Sequence, residues 1–440
     1  MDKAFILRLP DELLDKIICA AAPIIRHWSR KQCQVYDTAL CLSLVCRRFH
    51  RIAMPYLYAE IMVECSGGGW RHPEQVPRHL HRSCRENPSL WTLCRSLEVY
   101  YQDCKNKYIY AATDFVTWFT VVRSFTLYGL GKGERAWALL HLALEHMSSY
   151  TRLVLGDYPC SYGLDLSKVI DVLGNFVTGP LQNLQTLGLK GVSTHGDSLC
   201  QTKLKERAGT APFRLKLRCF LLTPEILEAL VRWPKCLEVF ELKFSFGNDY
   251  ATMGLHTEWT LQILAIHRST LRSIKLYAVN VAGLAGFDLR EFESLEELSL
   301  SSACTGHQYP VQGYMIGSFI NLLAPRLHVF HWDLILENQQ HCEGMDGFDQ
   351  KEEDWLRALV REALARGCPL QRIEIKFTPS SSYSFNGIYP WDRMDALGAD
   401  LRPYRIKVCY NTPSTNREEF SKTVGNTKRR EAYWNSINNE

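Results

Sequence analysis

The sequence predicts an α/β fold: a short helical module, then a long array in which parallel strands on a concave face alternate with helices outside. Three observations predict it. A phrase of the form L-x-x-L-x-L returns through most of the chain, its middle apolar residues running from Leu97 to Ile406 at intervals of 24 to 43 residues. Segments of helical period such as "GERAWALLHLALEHM" and "EEDWLRALVREALAR" fill those intervals. Pro88, Pro180, Pro234, Pro325 and Pro369 each stand between a helical segment and the next strand, where proline ends a helix and presets an extended backbone.

The elements follow in chain order. In "LRLPDELLDKIICAA", Pro10 suits a first helical turn, and Asp11 and Glu12 suit the positive end of the dipole. Leu13, Leu14, Ile17, Ile18 and Ala21 then give an apolar face wider than a surface helix needs, so something must cover it. A second apolar stretch, "ALCLSLVCRRFHRIAMPYLYAEI", completes a module over residues 5–62. Residues 63–90, with "SGGGWRHPEQVP", His79 and His81, read as a basic, mobile linker. About eleven strand phrases occupy 91–411, the full form standing for example at Leu184/Leu187/Leu189 and Leu295/Leu298/Leu300. The polar segment "ENQQHCEGMDGFDQKEED" reads as a surface insertion, and 412–440 as a polar, unstructured tail whose "KRR" is too short for a nuclear signal.

Composition narrows the function. With 440 residues, 46% hydrophobic and 22% charged, the chain is globular and too long for one small core. A net charge of +4 argues against a dedicated nucleic-acid binder, and apolar runs such as "FVTWFTVV" fall short of the roughly 18 residues of a membrane span. The sixteen cysteines are scattered without any C-x-x-C, and no signal peptide opens the chain, so a reduced, cytoplasmic or nuclear protein is expected. Gly129, Gly131 and Gly133 invite a nucleotide loop, but Glu134 stands where a pyrophosphate would approach, and a flexible turn is the better reading. Cys41, Cys46 and His50 offer no fourth metal ligand. No convergent acid, base and nucleophile can be found, so no catalytic residue, metal or cofactor is expected.

The L-x-x-L-x-L phrase resembles that of leucine-rich repeats, although apolar residues (Leu130, Val192, Phe220, Val279, Ala303 and Ile335) replace their Asn or Cys ladder. The opening L-P-x-E-L of Leu9 to Leu13, the run Leu44-Val45-Cys46-Arg47-Arg48-Phe49, and Leu57 with Tyr58 resemble an F-box, as joined to degenerate repeats in many filamentous fungi. That resemblance implies a three-helix module covered by the Skp adaptor and, through it, a cullin. It carries over Leu9, Pro10, Leu13, Leu14, Val45 and Cys46 as adaptor contacts, with Ile17, Leu44 and Phe49 divided between contact and internal packing. The implied function is a non-catalytic substrate receptor of a ubiquitin ligase. The alternatives are an adaptor-binding scaffold without ligase, a capping subdomain for the array, or an enzyme on a wound sheet.

The target site is read from the strand positions that alternate with the core. Basic residues, including Arg152, Lys190, Arg214, Lys216, Arg218, Lys243, Lys275, Arg372, Lys376, Arg405 and Lys407, outnumber Glu98, Glu241, Glu297, Asp333 and Glu374 there. An acidic or phosphorylated target segment is therefore expected, centred on Arg214, Lys216, Arg218 and Lys243, with Lys275 beside them. Tyr100, Tyr128 and Tyr277 would supply apolar anchoring on the same face.

Overall fold

The computed structural model describes residues 5–21, 39–65, 75–101, 109–157, 163–176, 179, 181–193, 211–218, 224–243, 257–277, 288–301, 319–334, 348, 350–377, 388–413 and 416–422. The chain forms two compact units, Met1–Thr186 and Leu187–Glu440.

The first unit opens with helix α1, Asp11–Ala21, a helical turn over 39–43, and helix α2, Arg47–Ala59. Leu14 and Ile18 of α1 meet Phe49, Ile52 and Ala53 of α2 in a buried cluster, with Leu9, Leu42, Cys46 and Tyr56 packed against it. Burying side chains of this size stabilises by roughly 1.5–3 kcal/mol each. Polar contacts fix the helix pair: Asp11 receives Arg48 at 2.6 Å and also Arg51, and the Tyr56 hydroxyl donates to Asp15 at 2.7 Å. Hydrogen bonds from Arg51 and Arg48 hold the Asp11 carboxyl below its usual range.

Four parallel strands follow in this unit: β1, Glu60–Cys65; β2, Ser96–Tyr101; β3, Ser124–Tyr128; and β4, Arg152–Gly156. Each pairs with the next, placing Ile61, Leu97, Phe125 and Leu153 in one row. Helices α3 (Gln75–Glu86), α4 (Ile109–Trp118), α5 (Glu134–His146) and α6 (Leu166–Phe176) accompany them. Two expectations change here. Strand β1 precedes the first predicted phrase, its alternating Ile61, Val63 and Cys65 all buried. The stretch 63–90 is not simply a linker, because α3 and a 3-10 turn at Pro88–Thr92 lie within it. Its rings explain why: His81 stacks on Trp118 at 5.1 Å, Trp91 stacks on the same ring at 5.2 Å, and the Trp91 N–H donates to the Cys84 carbonyl at 2.8 Å.

The second unit carries β5 (Thr186–Lys190, from Leu187 onward), β6 (Phe213–Arg218), β7 (Leu237–Lys243) and β8 (Ser273–Tyr277). Strands β9 (Glu297–Ser301), β10 (Val329–Asp333), β11 (Arg372–Lys376) and β12 (Lys407–Tyr410) continue it. Their spatial order is their sequence order, and the pairings from β6 to β12 are parallel. Leu215, Phe240, Ile274, Leu298, Phe330 and Ile373 form a fully buried row. Helix α7 is Pro224–Arg232, α8 Thr257–Leu264, α9 Gln350–Ala365 and α10 Pro390–Leu401. Trp355 of α9 packs on Phe330 and Trp332, at 5.6 and 4.6 Å between ring centres.

Two further expectations move. In the last strand Val408, rather than Ile406, pairs opposite Ile373, a two-residue displacement that keeps the same face inward. The expected tail contains a helical turn over 417–422 in which Phe420 is buried against Tyr389 and Arg417 pairs with Asp392. The polar insertion's last residues belong to α9; most of it, like Phe220, Val279, Ala303, Ile335 and residues 423–440, lies outside the described residues.

Candidate docking surfaces

The first surface lies on the N-terminal module. Leu13, Ile17, Leu44 and Val45 are 44, 41, 75 and 60% exposed, and Pro10 is exposed beside them in sequence. Leu14 and Phe49, both expected as contacts in whole or part, are instead buried in the module's own core, against which Leu9 and Cys46 are packed. The helical period explains the division: Leu13 and Ile17 share one stripe of α1, Leu14 and Ile18 another. Exposed Leu40, which sequence reasoning missed, stands four residues before Leu44. The Leu44 N–H bonds back to Leu40 and Cys41 and the Val45 N–H to Leu42, so a closed turn presents both side chains. Cys41 is exposed and Cys46 half-buried, while His50 Nδ1 lies 3.2 Å from the Ser43 carbonyl. Among the described residues no group of His, Cys, Asp and Glu could hold a metal.

The second surface is the strand face of the second unit that points away from its core. Register places Lys216, Glu241 and Lys275 side by side on β6, β7 and β8. Buried Glu241 accepts Arg218 at 2.7 Å and Lys216 at 3.2 Å. Burial pushes its carboxyl up, but the two cations outweigh that and hold it below the ordinary value. Glu297 receives Ser273 at 2.7 Å and Lys275 at 2.8 Å, and His331 Nε2 lies 2.6 Å from its carboxylate. There too burial raises the carboxyl while bonds from His331, Lys275 and Ser273 lower it further, far below the usual glutamate range. His331 Nδ1 lies 2.9 Å from Glu374, Arg372 reaches Glu374 at 2.8 Å, and Lys376 reaches Asp333 at 3.2 Å.

These pairs change the expected basic face. Lys216, Arg218 and Lys275 are there, yet each is matched by a carboxylate of the adjoining strand, Lys216 directly opposite Glu241, Arg218 diagonally across from it, and Lys275 diagonally across from Glu297. Arg214 is exposed, and the Lys243 ammonium lies 5.9 Å from the centre of the Tyr277 ring. Burial pushes the Tyr277 phenol up to about 12, and Ser299 donates to its oxygen at 3.2 Å. Next to that ring a concavity of about 380 Å³ is lined by Tyr277, Ser299, His331, Asp333, Glu374 and Tyr410, among others. Tyr100 and Tyr128, expected as anchors, are buried in the first unit and stack on each other at 4.7 Å.

The glycine triplet is a packing device. A Cβ on Gly129, whose φ is 92°, would lie 1.8 Å from the Tyr101 carbonyl oxygen, and one on Gly131 would lie 2.6 Å from Gly163 Cα. Polypeptide occupies the space a phosphate would need. Among the described residues no helix is long and apolar enough to cross a membrane. Comparison with protein-family models gives no match, and comparison with curated proteins gives none either.

Proposed function

We propose that the chain is the substrate-recognition subunit of a Skp–cullin–F-box ubiquitin ligase. One observation carries this reading: the N-terminal module closes its own core with Leu14, Ile18, Phe49, Ile52 and Ala53, yet leaves Leu13, Ile17, Leu40, Leu44 and Val45 exposed. Apolar side chains gathered on a small module and turned to solvent mark an interaction site. A capping subdomain would turn such residues inward. The sequence-ordered parallel strands of each unit support reading the remainder as a repeat array, with helices outside the strands.

The chain makes and breaks no bonds in this role. Its module docks on the Skp adaptor, its strand surface holds a target, and the target's lysines gain effective concentration near the conjugating enzyme. Co-purification of the full chain with the adaptor tests it. Leu13→Asp abolishes the complex, because an unpaired carboxylate buried at an interface costs several kcal/mol. The far-ultraviolet circular dichroism stays that of the wild type, since Leu13 lies outside the module core. Adaptor binding at the wild-type level by Leu13→Asp removes the proposal.

A further inference from the structure

The cations of the second unit fall into two groups. Those on the strand face from β6 to β11 are, for the most part, answered by carboxylates, as Lys216, Arg218, Lys275, Arg372 and Lys376 are. At the end of the unit the situation differs. Arg402, Arg405 and Lys407 are exposed, and no carboxylate pairs with any of them among the described residues.

Those three line a groove of about 540 Å³ between α10 and β12, with Asp395, Gly398 and Val408 among the other walls. Among the described residues the one carboxylate lining it, Asp395, accepts the Tyr410 hydroxyl. Gly398 lies against Val408 on the groove wall, where a Cβ would stand 3.6 Å from Val408 Cβ, an ordinary contact.

The groove runs along an open strand edge. Among the described residues β12 pairs only with β11, and it stands last in the sheet order. The Lys407 N–H donates inward to the Gln371 carbonyl at 2.8 Å, so strand alternation turns the peptide groups of Val408 and Tyr410 toward the open side. An edge of this kind is a template for another strand.

A separate observation concerns the backbone. Arg405 has φ 61° and is the one non-glycine residue with positive φ among the described residues. Glycine would hold that conformation without strain, so the arginine side chain is kept at a cost to the fold. Its position, between the turn Arg402–Tyr404 and the first residue of β12, aims a cation at the groove mouth.

We propose that the open edge of β12 takes an acidic, extended peptide segment as an added strand. Arg402, Arg405 and Lys407 receive its carboxylates, while Val408 and Tyr410 supply backbone hydrogen bonds. A second copy of the chain is a poor occupant, because pairing the edge with itself would bring these cations together. The inference rests on the ligase reading only in treating the segment as part of a target. Capture at Arg405 and adaptor docking at Leu13 are read in separate assays, so either can fail alone.

The test uses the full chain and three fluorescent hexapeptides, read by anisotropy: one alternating Glu and Val, one with Lys for each Glu, and one with Glu and Val but methylated on alternate backbone nitrogens. The Glu peptide binds, and more weakly as salt rises; the Lys peptide binds at least about tenfold more weakly. The methylated peptide loses about tenfold or more, having lost its hydrogen-bond donors. Arg405→Glu with Lys407→Glu weakens the Glu peptide by a similar factor, whereas Lys235→Glu, at an exposed position outside the groove, leaves it unchanged. Arg405→Gly raises the melting temperature yet weakens binding, which separates recognition from folding. Equal binding of the methylated and parent peptides overturns strand addition. Undiminished binding by the double reversal or by Arg405→Gly overturns the site. No binding of the Glu peptide by the full chain overturns the proposal.

Discussion

The strand faces that point away from the core differ between the two units. In the first, Tyr100 and Tyr128 stack, and Thr126 and Val154 are buried beside them in the same parallel register. In the second, the same positions hold Lys216, Glu241, Lys275, Glu297, His331 and Glu374, linked by ion pairs. Inward positions are alike in both, with Leu97 and Phe125 matching Leu215 and Phe240. The inward row makes the strand, and the outward row decides whether its other face is buried or meets water. Among the described residues the second unit's outward face is the more highly charged, as a face in water requires.

The strongest way to break this comparison is to strip the cations from Glu241. Lys216→Met with Arg218→Met leaves a buried carboxylate without a counter-charge, and urea unfolding is expected to register a loss of about 3–5 kcal/mol. Adding Glu241→Met restores most of it. If the double variant is as stable as the wild type, the charges of the second unit contribute nothing to its fold.

A smaller effect sharpens the contrast. Lysine at Val154 enters the buried outward face of the first unit and costs roughly 2–3 kcal/mol. Lysine at the half-buried Val329, which pairs opposite Glu297 on one side and Arg372 on the other, costs less, about 1 kcal/mol, because a carboxylate adjoins it and offsets the like charge. Thermal melts of the two variants decide the matter, and equal losses would mean that the two faces are equivalent.

The smallest effect is in pH. The Glu297 carboxyl lies below the usual 4.5 in the folded chain, so its contribution is complete above that value and fades as pH falls below it. Partial exposure of the pair screens it to roughly 1 kcal/mol. Glu297→Gln therefore lowers the melting temperature at neutral pH and leaves its value well below pH 4.5 nearly unchanged, so the fall on the acid side is flatter than in the wild type. An unchanged acid profile in the variant would show that other carboxylates carry the dependence.

Much of the core is legible in the sequence because alternation fixes which side chains turn inward. Leu215, Phe240, Ile274 and Leu298 announce their strands. Alternation cannot choose between Ile406 and Val408, which have the same parity, so the last register needed the neighbouring strand. Strand β1 carried the signal in Ile61, Val63 and Cys65, but it follows α2 directly and reads as that helix's end. Helix α3 has few aliphatic residues and depends on stacking against Trp118, which lies far away in sequence. At the candidate sites, a wide apolar helix face names Leu13 and Leu14 together, and only the packing of α1 on α2 separates the exposed residue from the buried one. The matching of Lys216 and Arg218 to Glu241 depends on cross-strand register, to which a count of charges is blind.

Sequence-ordered stacking also has a consequence for how the second unit comes apart. A strand held only by its sequence neighbours can leave from an end without disturbing strands further along, as in any nearest-neighbour array. Among the described residues β12 has one hydrogen-bonded ladder where β8 has two, so its amides exchange with solvent through local opening while those around Leu276 wait for deeper unfolding. The latch against that opening is Asn411, whose side chain accepts the Phe377 N–H at 2.6 Å and donates to the Phe377 carbonyl at 2.8 Å. One amide side chain there does the work of a missing stretch of ladder and sets how long the last strand stays in place.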